Sequence, residues 1–133
     1  MKEEAQLWLG YAQRDLLAAN VLLNNPDPIT DIAAFHIQQF AEKTIKAVLT
    51  AEGVRPRRTH DIGYLLTLIP RNHRLYGDLA ALEPLTKWST EFRYPGDDVG
   101  LGGEIAPRAS DVKAALGNAI AAYEATKRFI EQG

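Results

Sequence analysis

The stretch AAFHIQQFAEKTIKAVL, residues 33 to 49 of a 133-residue chain, decides the fold. Within it and just beyond, Ala33, Ile37, Phe40, Thr44, Ala47 and Ala51 recur at alternating steps of four and three, the spacing of one helical face. The pattern runs out at Gly53, a natural residue just past a helix end, and Thr30 or Asp31 is placed to cap its start. The same steps occur upstream in Ala5, Leu9, Ala12, Leu16, Ala19 and Leu23, where the prolines of NNPDP (24 to 28) stop a helix. They occur again downstream in Val112, Leu116, Ala119, Tyr123, Thr126 and Ile130, with Ser110 as the expected cap and Pro107 just before it.

Between the second and third of these long helices, DIGYLLTLI at 61 to 69 is expected to form a short helix ended by Pro70. A weaker helical stretch from about Leu75 to Trp88 carries Pro84 at an expected kink or break. RYPGDDVGLGGEIAP, 93 to 107, has no period of 3.6 or 2 and reads as one long loop. No strand alternation or internal repeat is visible. The expectation is therefore a single all-α domain over residues 1–133, a four- to five-helix up-and-down bundle. Alanines in the first two stripes allow those helices to approach closely. A second seam on the first helix, Trp8, Tyr11, Ala18 and Leu22, fits either burial between two neighbours or burial against a second subunit.

Composition agrees with a folded globular chain: 46% of residues are hydrophobic and 24% charged, well away from the disordered corner. A net charge of −2 removes any general pull on nucleic acid, so anion binding has to come from a local patch. The absence of cysteine excludes disulfides, thiolate nucleophiles and Cys-based zinc sites. MKEEAQLWLG offers no secretory signal, and no window is long and apolar enough to span a bilayer. A cytoplasmic location and no membrane association are expected.

Positive charge gathers in Arg55, Arg57, Arg58, Arg71 and Arg74, opposed locally only by Asp61, with His60 and His73 beside them. Such a run is either a solvated connector or a phosphate-binding patch. The three histidines, His36, His60 and His73, lack the spacing of a helical zinc site, and no Walker loop, nucleophile elbow or dinucleotide fingerprint occurs; no cofactor is expected. On the second helix His36, Gln39, Lys43 and Lys46 form a polar stripe, and Glu42 with Lys46 has the spacing of an ordinary helix-surface pair.

Three strings in register, AAFHIQQFAEKTIKAVL at 33 to 49, THDIGYLL at 59 to 66 and FRYPGD at 92 to 97, together with YAQRDLLAANVLL in the opening helix, resemble the HEPN domain family. The resemblance covers most of the chain. It implies an all-α bundle that commonly forms homodimers, is frequently paired with a minimal nucleotidyltransferase in toxin–antitoxin-like systems, and is associated with nucleotide or RNA binding. Ribonuclease branches of the family carry an Arg followed four to six residues later by His. Arg93 stands about where that Arg would fall, but Asp98, Val99 and Gly100 occupy the positions of the His. Arg55 and His60 match the bare spacing, yet Pro56 lies between them and His60 precedes a different helix. The resemblance thus points to a non-ribonuclease member acting as a nucleotide or RNA-phosphate binding module. Its candidate ligand residues are Lys43, Lys46, Arg58, His60, Arg93 and Tyr94, with Lys43, His60, Arg93 and Tyr94 expected to converge. The alternatives are a metal-independent endoribonuclease toxin, with His60 or His73 brought to Arg93, and a ligand-free protein-interaction scaffold.

Overall fold

In the computed structural model, the described residues are 2–89 and 107–133. They form five α-helices and one 3-10 segment: α1 (Lys2–Leu23), α2 (Thr30–Ala51), α3 (Ile62–Leu66), α4 (Tyr76–Ala80), the 3-10 segment (Glu83–Ser89) and α5 (Ala109–Gln132). No strand occurs among them, and the all-α bundle expected from periodicity is the fold observed. Arg93, Tyr94 and the loop expected at 93–107 lie outside the described residues, apart from Pro107.

Helix α2 is the hub: it packs against α1 most extensively and also against α5, α3 and the 3-10 segment. A helix touched on so many sides is buried well beyond one stripe: Ala34, Ala41, Ile45 and Val48 widen the apolar face, and Gln38, Gln39, Glu42 and Lys46 are buried on the polar one. The alanines make this possible. Ala5, Ala12 and Ala19 on α1 and Ala33 and Ala47 on α2 are buried, so the α1 and α2 backbones approach closely. Phe40 bridges to α5, its ring 5.2 Å from that of Tyr123. Burial of that phenol, with Glu124 and Glu131 nearby, raises the Tyr123 pKa above its ordinary value, because a charged oxygen would lose its hydration there.

The helix ends show where local chemistry governs. Gly53 takes the left-handed backbone, φ 83°. It lets the Val54 N–H reach the Leu49 carbonyl at 2.8 Å and its own N–H reach the Thr50 carbonyl at 3.0 Å, a Schellman closure. The two expected side-chain caps do not form. Helix α2 begins at Thr30 with Ile29 as its flanking residue, and no side chain caps it; the Ile29 N–H instead bonds the Leu22 carbonyl at 3.1 Å, so the connector fixes the start. Helix α5 begins earlier than expected, because the Arg108 carbonyl already accepts from the N–H groups of Asp111 and Val112. Ser110 therefore sits inside the first turn. Asp61 does cap α3, its Oδ1 accepting from the Tyr64 N–H at 3.1 Å.

The expected helix over Leu75–Trp88 is two pieces. It breaks at Ala81 and Leu82, before Pro84, which lies in the opening turn of the 3-10 segment; there its missing N–H costs nothing. Leu16, placed on the α1 stripe by spacing, is only half-buried, and Asp15 takes the packed position beside it.

Two stability outcomes follow. Phe40→Ala, at a side chain with no exposure, is expected to cost about 3–5 kcal/mol, and Gly53→Ala about 1 kcal/mol for an L side chain at positive φ. Denaturant unfolding of both variants checks them.

Candidate functional site

Two buried carboxylates organise the polar chemistry, one on α2 and one on α1. The first is Glu42, midway along α2, whose side chain is only 3% exposed. Its Oε2 accepts from Lys46 Nζ at 2.7 Å, and its Oε1 lies 2.8 Å from His60 Nδ1. A carboxylate offers only acceptors, so Nδ1 carries the proton in that bond. Gln38 Nε2 donates to the His60 carbonyl at 3.1 Å, and Gln39 Nε2 donates to Gln38 Oε1 at 2.6 Å. The spacing of Glu42 and Lys46 suggested a surface pair; instead both are buried, because α2 is enclosed by its neighbours where those residues fall. The Lys46 ammonium also lies 5.3 Å from the Trp8 ring centroid, a cation–π contact with α1.

The second centre is Asp15, the charged residue on the packed face of α1. Its Oδ2 accepts from Lys43 Nζ at 2.6 Å and its Oδ1 accepts from His36 Nδ1 at 2.8 Å. Asp15 thereby ties α1 to α2 at two points. The expected convergence of Lys43 with His60 resolves differently: Lys43 turns to Asp15, while His60 and Lys46 share Glu42. Arg93 and Tyr94, the other members of that expected group, lie outside the described residues. His73, in the α3–α4 connector, pairs with Glu52 at 2.8 Å and packs edge-on against Phe129 of α5.

Arg58 lies with the remaining positive charge. The connector after α2 carries Arg55, Pro56, Arg57 and Arg58 along one side of a groove of about 720 Å³, whose other walls include Trp8, Lys46 and Thr50. All three arginines are exposed. Arg57 donates to the Tyr64 hydroxyl at 3.3 Å, a contact that raises its pKa; Arg55 and Arg58 have no partner among the described residues. Thr50 Oγ1 is buried without a hydrogen-bond partner, whereas Thr44, two turns earlier, satisfies its hydroxyl on the Phe40 carbonyl at 2.8 Å. A buried hydroxyl lacking a partner carries an unmet desolvation cost. Exposed arginine forks beside an aromatic wall suit a phosphate-bearing, partly planar ligand. Trp8 and Thr50 escaped sequence reasoning, since each sits on a helix whose apolar period explains it as packing.

Arg55 and His60, which match a nuclease-like spacing, are not on one helix face: the chain between them is non-helical, Arg55 faces the groove and His60 reaches Glu42. Among the described residues, no group of three or more His, Asp or Glu is placed to hold a metal ion. No helix among them is long and apolar enough to cross a membrane.

Comparison with known proteins gives a consistent picture. The family model described as HEPN domain matches residues 5–130. The crystal structure of TT1696 from Thermus thermophilus is similar, with a TM-score of 0.72 and 26% identity over 93% of this chain and 96% of that one. An archaeal HEPN homologue, ST0689, has a TM-score of 0.68 and 24% identity over 95% of this chain and 97% of its own, a likeness of fold. The search of curated proteins returns no match.

The buried Glu42 yields a direct test. Glu42→Ala leaves Lys46 buried without its counter-charge and is expected to destabilise the fold by about 3–5 kcal/mol. Adding Lys46→Met should restore much of the loss, and equilibrium denaturation of the single and double variants measures the coupling.

Proposed function

The chain belongs to the HEPN domain family, and on that footing we propose that it is a binding module for nucleotide or RNA phosphate. The observation that carries the reading is the Trp8–Lys46–Thr50 groove with Arg55 and Arg58 exposed at its rim and without a partner among the described residues. Arginine forks take phosphate oxygens, and the Trp8 indole gives a base a surface to stack on. Catalysis by the family's nuclease chemistry would require a base near the phosphate. The sequence lacks the family's Arg–His pair at Arg93; His60, whose Nδ1–H is held by Glu42, keeps Nε2 as the ring nitrogen open to such a role, and its alanine variant is the test below.

The same reading includes a homodimer, in which the exposed apolar residues Leu17 and Val21 of α1 meet a second copy. Their exposures of 58% and 71% are high for large apolar side chains on one helix. It also includes a nucleotidyltransferase partner in a toxin–antitoxin-like pair, as the resemblance to other family members implies, and a cytoplasmic setting, as the lack of cysteine suggests.

Fluorescent single-stranded RNA and labelled ATP, each titrated in EDTA, test the ligand. Arg58→Ala and Arg55→Ala are each expected to weaken RNA binding and to lower the slope of log affinity against log salt by about 0.7. Trp8→Ala should cost about 1–3 kcal/mol of affinity. RNA cleavage that disappears in His60→Ala would replace the binding module with an endoribonuclease. Absence of binding to either probe would leave a protein-interaction scaffold. For the dimer, light scattering of Leu17→Glu/Val21→Glu should report a monomer where the parent is a dimer.

A further inference from the structure

A separate cavity, of about 370 Å³, opens where α1 crosses α2 and is lined by Tyr11, Arg14, Asp15, His36 and Lys43. We propose that it binds a phosphomonoester and that binding places a proton on His36. Four observations carry this. The Asp15 carboxylate holds both neighbours at hydrogen-bond length, His36 through Nδ1 and Lys43 through Nζ, so the two donors are positioned before any ligand arrives. The bond through Nδ1 fixes the tautomer and leaves Nε2 as the ring nitrogen without a partner among the described residues. Lys43 keeps two further N–H donors after serving Asp15, and Arg14 is exposed without a partner among the described residues. The His36 side chain is 29% exposed and the Lys43 side chain 25%, so both are sheltered yet reachable.

Charge sets the ligand class. Among the described residues, the titratable groups around the cavity come from the two helices that form it: Tyr11, Arg14 and Asp15 from α1, His36 and Lys43 from α2. With a neutral imidazole the cluster is one positive charge in excess; with imidazolium it is two, which matches a phosphate dianion. Neutral His36 presents a lone pair at Nε2, which repels a phosphate oxygen, whereas protonated Nε2 donates to it. A dianionic phosphate therefore draws one proton from solvent onto Nε2, and no covalent bond is made or broken. The volume is at the small end of ligand sites, enough for a phosphate and the start of its ester group. The site shares no lining residue with the Trp8 groove, so the two ligand readings stand or fall separately.

Calorimetry at about pH 8, above the second phosphate ionisation, reads the proton directly. Inorganic phosphate and glycerol 3-phosphate are titrated in two buffers of different ionisation enthalpy. The expected result is uptake of about one proton per ligand, abolished in His36→Gln. Arg14→Ala, at an exposed residue that does not threaten folding, should weaken binding about tenfold, and Arg58→Ala should leave it unchanged. An oligonucleotide with and without a 5′-phosphate separates the sources: preference for the phosphorylated end assigns a nucleic-acid terminus, and equal binding of the two small phosphates assigns a free metabolite phosphate. A binding heat independent of buffer, loss of binding in Arg58→Ala with retention in Arg14→Ala, or no heat at millimolar phosphate would overturn the proposal.

Discussion

The burial of one carboxylate, Glu42, constrains everything around it. An isolated charge in that position would be several kcal/mol unstable, so the fold has to bring a cation to each oxygen or a proton donor in its place. Lys46 comes from the same helix, one turn on, and costs little to position. His60 comes from a different segment, which means the connector after α2 must turn back across the helix to deliver it. Gln38 then holds that connector by its main chain, at the His60 carbonyl. The path of the chain between α2 and α3, and hence where its arginines lie, is a corollary of satisfying Glu42.

Asp15 imposes a parallel constraint on the other side of α2. It fixes the rotation of α1 about its own axis, because only one setting lets Oδ1 meet His36 and Oδ2 meet Lys43 two turns away on α2. Apolar packing alone is tolerant of small slips; two directional bonds at a shared carboxylate are less so. The α1–α2 pair is thus held by alanine-mediated closeness along its length and by ion pairs that set its register.

Much of this architecture was legible in the residues. The three long helices follow from apolar steps of four and three, and the glycine closure of α2 from Gly53. Asp15 was harder to see: positions 15 and 16 both lie a helical step from Ala12 and Ala19, and hydrophobicity favours Leu16. The signal for Asp15 is a charge on the rim of an apolar stripe, which only a partner helix can explain. The depth of Glu42 and Lys46 was hidden for a related reason. Periodicity describes one helix face, while their burial depends on how many neighbours surround α2, a property of the assembly of segments. A hint lay in Ala34, Ala41, Ile45 and Val48, which widen the apolar face of α2 beyond what one neighbour would cover. The caps expected at Thr30 and Ser110 failed because flanking main-chain bonds began those helices earlier, information that side-chain propensity does not hold.

The segment from Val54 to His60 is fastened at both ends, by the Val54 N–H on the Leu49 carbonyl and by the His60 ring on Glu42. A flexible basic loop has to surrender conformational freedom when it closes on an anion, and that loss is subtracted from affinity. Here both ends are tied to α2, and Pro56 narrows the backbone between them. For an anion at the proposed groove, that part of the ordering would already be supplied by the fold, leaving the exposed arginine side chains to settle.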